Sequence, residues 1–126
     1  MTTFFLIIAA LNGFIAVTLG AFAAHGLKAS LAPDLLATFQ TGVQYQMHHT
    51  LALLAVGILV LHFPGQTLLR TSGYLFLAGI VIFSGSLYLL SLSGVRWLGA
   101  ITPIGGVLFL AGWATLALAM FNVRNT

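Results

Sequence analysis

Apolar positions along the chain fall into four long blocks separated by three short polar breaks. The blocks cover residues 4–24, 43–61, 73–92 and 99–121, and none contains Asp, Glu, Lys or Arg. A helix crossing a hydrocarbon layer about 30 Å thick needs about 20 largely apolar residues, because helix rise is about 1.5 Å per residue. The pattern therefore predicts an all-α integral membrane four-helix bundle, up-down-up-down, as one transmembrane domain over residues 1–126. The first block exceeds the apolar run of a secretion signal and no Lys or Arg precedes it, so it is expected to stay as a span despite the small residues Ala23 and Ala24.

The breaks carry turn chemistry. The stretch from His25-Gly26 to Ala32-Pro33-Asp34 holds a glycine, a charge and a proline. Pro33 suits the first turn of a helix. Leu35, Leu36 and Phe39 follow at helical spacing, which predicts a short interfacial helix reaching Gln40 between the first two spans. Phe63-Pro64-Gly65-Gln66 reads as a tight reversal, and Ser93-Gly94-Val95-Arg96 as a third short break. Short loops make their flanking helices antiparallel neighbours.

Small residues recur at helical spacing. In the first block they are Ala9, Gly13, Ala16, Gly20 and Ala24. Ser72, Gly79, Ser86 and Ser93 lie seven apart in the third, as do Gly105, Gly112 and Ala119 in the fourth. Lipid tails provide no hydrophobic force between helices, so close backbone approach through small residues must hold them together. Gly13, Gly20, Gly79, Gly105 and Gly112 are thus the expected packing positions. The phenylalanines are expected to meet lipid or core rather than a cofactor.

Polar residues gather at one end of this topology. His25 closes the first span. Gln44, Tyr45, Gln46, His48 and His49 open the second. Ser84, Ser86 and Tyr88 lie late in the third, and Thr102 and Pro103 begin the fourth. Up-down order brings all of these toward the face of the first and third loops. His48 and His49 point about 100° apart on a helix, and Tyr45, Gln46 and His49 share a face, which selects His49 as the inward histidine. Asn12, midway along the first span, is expected to donate a hydrogen bond between helices. His25 and His49 are candidates for copper, zinc or haem iron as neutral imidazoles. The competing expectation is structural: His25 caps carbonyls at its helix end, and His49 bonds Ser86, Tyr88 or Thr102, because unsatisfied polar groups are costly in hydrocarbon.

Composition narrows the function classes. About 60% of the 126 residues are hydrophobic and 4% are charged, too few for an ordinary water-facing surface. Lys28, Arg70, Arg96 and Arg124 are dispersed, so no basic patch for nucleic acid exists. The chain has no cysteine, which excludes disulfides, thiolate metal sites and thiol nucleophiles. The one acid, Asp34, lies in a loop, so no paired carboxylate or Ser–His–Asp set is present, and no enzyme is expected. Even topology places Arg70 and Arg124 on the side of the termini and Lys28 and Arg96 opposite. The count of Lys and Arg is thus two on each side, and both termini are expected in the cytoplasm.

The residues Gly20-Ala21-Phe22-Ala23-Ala24-His25-Gly26-Leu27, Gln40-Thr41-Gly42, Tyr45-Gln46, His49-Thr50-Leu51-Ala52, Phe83-Ser84-Gly85-Ser86-Leu87-Tyr88, Thr102-Pro103-Ile104-Gly105-Gly106 and Gly112-Trp113 together resemble the YgdD-like family. These are small bacterial inner-membrane proteins of unknown function, with mitochondrial transmembrane relatives. Ala23 stands where that family usually has Gly, and His48 is outside its pattern. The resemblance implies a four-span inner-membrane protein and supplies no catalytic residue, cofactor or substrate. The expected function is a non-enzymatic scaffold or accessory subunit in the lipid bilayer, as a homo-oligomer or in a larger membrane complex. The alternatives are a small-ligand, metal or haem-binding protein using the polar end, and a small oligomeric transporter. A transporter of this size usually relies on a buried carboxylate, which these spans lack.

Overall fold

The computed structural model describes residues 3–124. Helix α1 spans Phe4–His25 and ends with the Gly26 N–H donating to the Phe22 carbonyl at 2.8 Å. A 3₁₀ turn over Leu27–Ala29 leads to α2, Pro33–His62. The third span, Thr67–Ser93, is built from α3 (Thr67–Gly79), a π-helical turn (Ile80–Ser84) and α4 (Gly85–Ser93). Gly94 ends it at φ 75°, a left-handed conformation that glycine adopts without strain. A second 3₁₀ turn, Arg96–Ala100, precedes α5, Thr102–Arg124. Four helices are long and apolar enough to cross a membrane, and no strand occurs among the described residues.

One expectation is corrected. The segment from Pro33 to Gln40 is no separate interfacial helix; it is the first part of α2, which runs unbroken through Gly42 for 30 residues. Thr41 returns its hydroxyl to the Ala37 carbonyl at 3.0 Å. Leu36 and Phe39 do not lie along a membrane surface. They close a small core with Ala23, Leu27 and Tyr88, with the Phe39 and Tyr88 rings 4.9 Å apart. Burying that apolar face on α1 and α4 outweighs the cost of about 1 kcal/mol for a glycine inside a helix. At about 1.5 Å per residue, α2 is about 45 Å long, so it extends beyond the hydrocarbon layer.

The four spans pack in sequence: α1 on α2, α2 on the third span, the third span on α5. The outer helices are thinly covered. Within their most apolar stretches, 17% of first-span and 22% of fourth-span residues are buried, against 44% in the second and third. Contacts follow a ring-into-glycine scheme. A Cβ at Gly79 would meet the Phe109 ring, one at Gly112 the Phe76 ring, and one at Gly105 the Phe83 backbone, so α5 and the third span approach as close as chains can. Gly73 receives Phe5, Gly57 receives Leu6 and Gly42 receives Tyr88. Gly20 and Gly13 face Val43 and Thr50 more loosely. The α1 stripe ends differently from its sequence spacing: Ala23 is buried and Ala24 exposed. Likewise Ser93, the last residue of α4, is exposed, while Ser72, Gly79 and Ser86 of the same stripe are buried.

Asp34 at the start of α2 and Arg96 after α4 form an exposed ion pair at 2.9 Å, joining the first and third loops at one end of the bundle.

Gly105 and its neighbour Gly106 make a matched pair for testing this packing. Gly105→Ala drives a methyl into the Phe83 backbone, and overpacking of this kind costs about 1–3 kcal/mol. Gly106→Ala meets open space and is expected to change stability little. Thermal unfolding in mild detergent, followed by helix content, measures both.

Candidate functional site

The polar residues at the loop end separate into three hydrogen-bonded networks. The first joins three spans. Tyr88 donates its hydroxyl to Gln46 Oε1 at 2.6 Å, and Gln46 Nε2 donates to Asn12 Oδ1 at 3.0 Å. Asn12 Nδ2 then donates to the Ile8 carbonyl of its own helix at 3.0 Å. Asn12 is therefore an interhelical acceptor and not the donor expected from the sequence, because its amide N–H is used within its own helix. Helix α2 places Gln46 inward between α1 and α4 because Gly42, one turn earlier, leaves room for the Tyr88 ring.

The second network fastens the π turn. Ser84 donates to the Gly42 carbonyl at 2.7 Å, across to α2. Ser86 lies 2.6 Å from the Thr102 hydroxyl, across to α5, and bonds the Phe83 carbonyl at 2.9 Å. Two serines two residues apart thus pin one span to two neighbours.

The third network surrounds His49, which is buried. Trp113 donates its indole N–H to His49 Nε2 at 3.1 Å. Because Nε2 accepts, the ring proton of the neutral imidazole resides on Nδ1, which donates to the Tyr45 carbonyl at 2.8 Å. The ring lies flat on Phe109, with centroids 3.5 Å apart, and Phe76 and Trp113 enclose it. His49 and Gln46 share no partner: Gln46 bonds toward α1 and α4, His49 toward α5.

The other candidates lie apart. His25 is exposed at the end of α1 and joins none of these networks. Gln44 and His48 are exposed on α2, and His62 bonds the Ile58 carbonyl at the opposite end. Tyr45 is 40% exposed; its ring packs on Phe83 at 4.6 Å, and its hydroxyl has no hydrogen-bond partner among the described residues. One buried hydroxyl among them, Thr50 Oγ1, also lacks a partner. No group of three His, Cys, Asp or Glu side chains converges among the described residues. His49, the buried member of the candidate metal pair, has both nitrogens engaged within the protein.

The His49 partners were not visible as site residues in the sequence. Phe109 reads there as ordinary apolar filler and Trp113 only as part of the family resemblance, 60 and 64 positions away. Their only signal is their spacing of four on α5, which puts them on one face.

Residues 19–106 match the family described as a protein of unknown function, DUF423. A UPF0382 membrane protein of Staphylococcus saprophyticus is 47% identical over 121 residues, covering 94% of this chain and 98% of its own. The UPF0382 membrane protein YwdK of Bacillus subtilis is 47% identical over 115 residues, covering 91% and 94%. The UPF0382 inner membrane protein YgdD of Escherichia coli is 43% identical over 122 residues, covering 97% and 92%. No solved structure matches the chain.

The first network predicts graded losses. Tyr88→Phe removes one interhelical bond and is expected to cost about 0.5–1 kcal/mol, the usual worth of such bonds in membranes. Gln46→Ala leaves both Asn12 and Tyr88 unpaired and is expected to cost about 2 kcal/mol or more. Unfolding of the detergent-solubilised protein in graded denaturing detergent ranks the two; equal losses would remove the network from the account.

Proposed function

We propose, from the premise that the chain belongs to the DUF423 family of membrane proteins, that it is a non-enzymatic scaffold or accessory subunit. The observation that carries this reading is the closure of the three networks. Asn12, Gln46, Tyr88, Ser84, Ser86, Thr102 and His49 all hydrogen-bond within the protein. A catalytic nucleophile would be paired with an activating base, and none of the hydroxyls in these networks bonds an imidazole or a carboxylate. Groups already paired in hydrocarbon instead orient the helices. The partner surface is supplied by the outer helices. Phe14, Val17, Leu110 and Val107 are each more than 60% exposed on faces that meet lipid or another protein.

Assembly as a homo-oligomer or in a larger membrane complex follows from those two open faces. By its likeness to the Escherichia coli inner membrane protein, we place the chain in the bacterial inner membrane. We place both termini in the cytoplasm. Fusion reporters at the C-terminus and in the Phe63–Gln66 loop are expected to report the cytoplasmic side, and one in the first loop the opposite side.

Affinity purification from native membranes in mild detergent, followed by native mass spectrometry and elemental analysis, tests the role. A stoichiometric larger membrane partner is expected. A solitary homo-oligomer would remove the accessory role, and a stoichiometric metal or haem lost in a folded His49→Ala protein would make the polar end a binding site.

A further inference from the structure

A lateral groove of about 500 Å³ lies between α2, the π turn and α5, lined among others by Tyr45, His49, Phe83, Gly106, Phe109 and Trp113. We propose that it holds one acyl chain of a bilayer glycerophospholipid, whose ester carbonyl accepts a hydrogen bond from the Tyr45 hydroxyl.

Four features point to that occupant. First, the groove runs along the membrane normal. On α5 its wall passes from Pro103 through Gly106 and Leu110 to Trp113, ten residues or about 15 Å at 1.5 Å per residue. Second, it is narrow. A volume of about 500 Å³ along that length matches an extended hydrocarbon chain. Third, no lining residue is charged and most are apolar or aromatic, so the space takes an uncharged apolar chain and not a headgroup. Water does not fill apolar cavities.

The fourth feature is polarity placed at one point. His49 and Trp113 spend their polar atoms on each other and on the Tyr45 carbonyl. The Tyr45 hydroxyl alone among these three has no protein partner, in a residue that lines the groove near the start of the apolar stretch of α2. That is the depth at which the hydrocarbon of a bilayer meets its ester carbonyls, and an amphipathic phenol ring suits that boundary. Gly106 has no side chain where the wall is open: a Cβ there meets nothing within 4 Å. The site differs from the three closed networks, because it joins a donor without a protein partner, on a residue 40% exposed, to an open wall at Gly106.

The test uses tryptophan fluorescence of the full chain. The protein has two tryptophans, so Trp97→Phe leaves Trp113, in the groove, as the only reporter. This variant is reconstituted in vesicles of diether phosphatidylcholine, which has no ester carbonyl. Diester phosphatidylcholine brominated at mid-chain is then titrated in, because bromine quenches a tryptophan it touches. Half-quenching is expected at a brominated fraction at least threefold lower than in the same protein carrying Gly106→Leu, whose Cβ enters open space beside the groove. Tyr45→Phe, which removes only one oxygen, is expected to shift the curve the same way. Coincident curves for all three, with equal helix content, would mean ordinary surrounding lipid and overturn the proposal. Native mass spectrometry from mild detergent is expected to show one phospholipid that Gly106→Leu loses. A quinone or a second copy lost in its place would overturn it as well.

Discussion

Hydrocarbon offers no hydrogen bonds, and that one fact organises this protein. Polar side chains inside the bundle draw their partners from the protein itself, with the buried Thr50 hydroxyl the exception among the described residues. Gln46 cannot sit between α1 and α4 unless Asn12 and Tyr88 arrive from two other spans. Ser84 can be buried because the Gly42 carbonyl, already used by its own helix, has a second lone pair to offer. Such bonds are modest singly, but their directions are exacting. They select one rotation and one height for each helix, which apolar contacts alone leave free.

The glycines make those bonds reachable. A hydroxyl has to come within about 3 Å of a carbonyl on another helix, and ordinary side chains hold backbones farther apart. Gly42 lets Tyr88 close on α2, and Gly105 lets α5 meet the backbone of Phe83, which brings Thr102 to Ser86. The phenylalanines then fill the glycine-made hollows: Phe5 at Gly73, Phe76 at Gly112, Phe109 at Gly79. The π turn belongs to the same solution. It lies where the third span must present Ser84 to α2 and Ser86 to α5, and widening one turn re-aims side chains without breaking the helix.

His49 shows how far saturation goes. A histidine in lipid invites a functional reading, but here each nitrogen has a fixed role and the ring face rests on Phe109. The chemistry left open to the surroundings lies on the outer side: the exposed faces of α1 and α5, and the groove beside Tyr45.

The sequence by itself determined the spans, their number, their alternating order and the end at which polar residues gather. Those follow from the thickness of the hydrocarbon layer and the cost of charge within it, which act on each segment separately. It also marked the small residues that face neighbours, through their spacing of three, four and seven. Only the tertiary structure decided which polar residue meets which. Gln46 and His49 share a helix face three positions apart, yet they turn to different spans, because Asn12 and Trp113 wait on opposite sides of α2. The extent of α2 was likewise decided by packing: Leu36 and Phe39 found a core with Leu27 and Tyr88, and so continued the helix through Gly42. The π turn left no local mark, since it answers to partners 42 and 16 positions away. Partition into lipid is a property of a segment, whereas hydrogen bonding and close packing are properties of pairs, and pairs are made only by the fold.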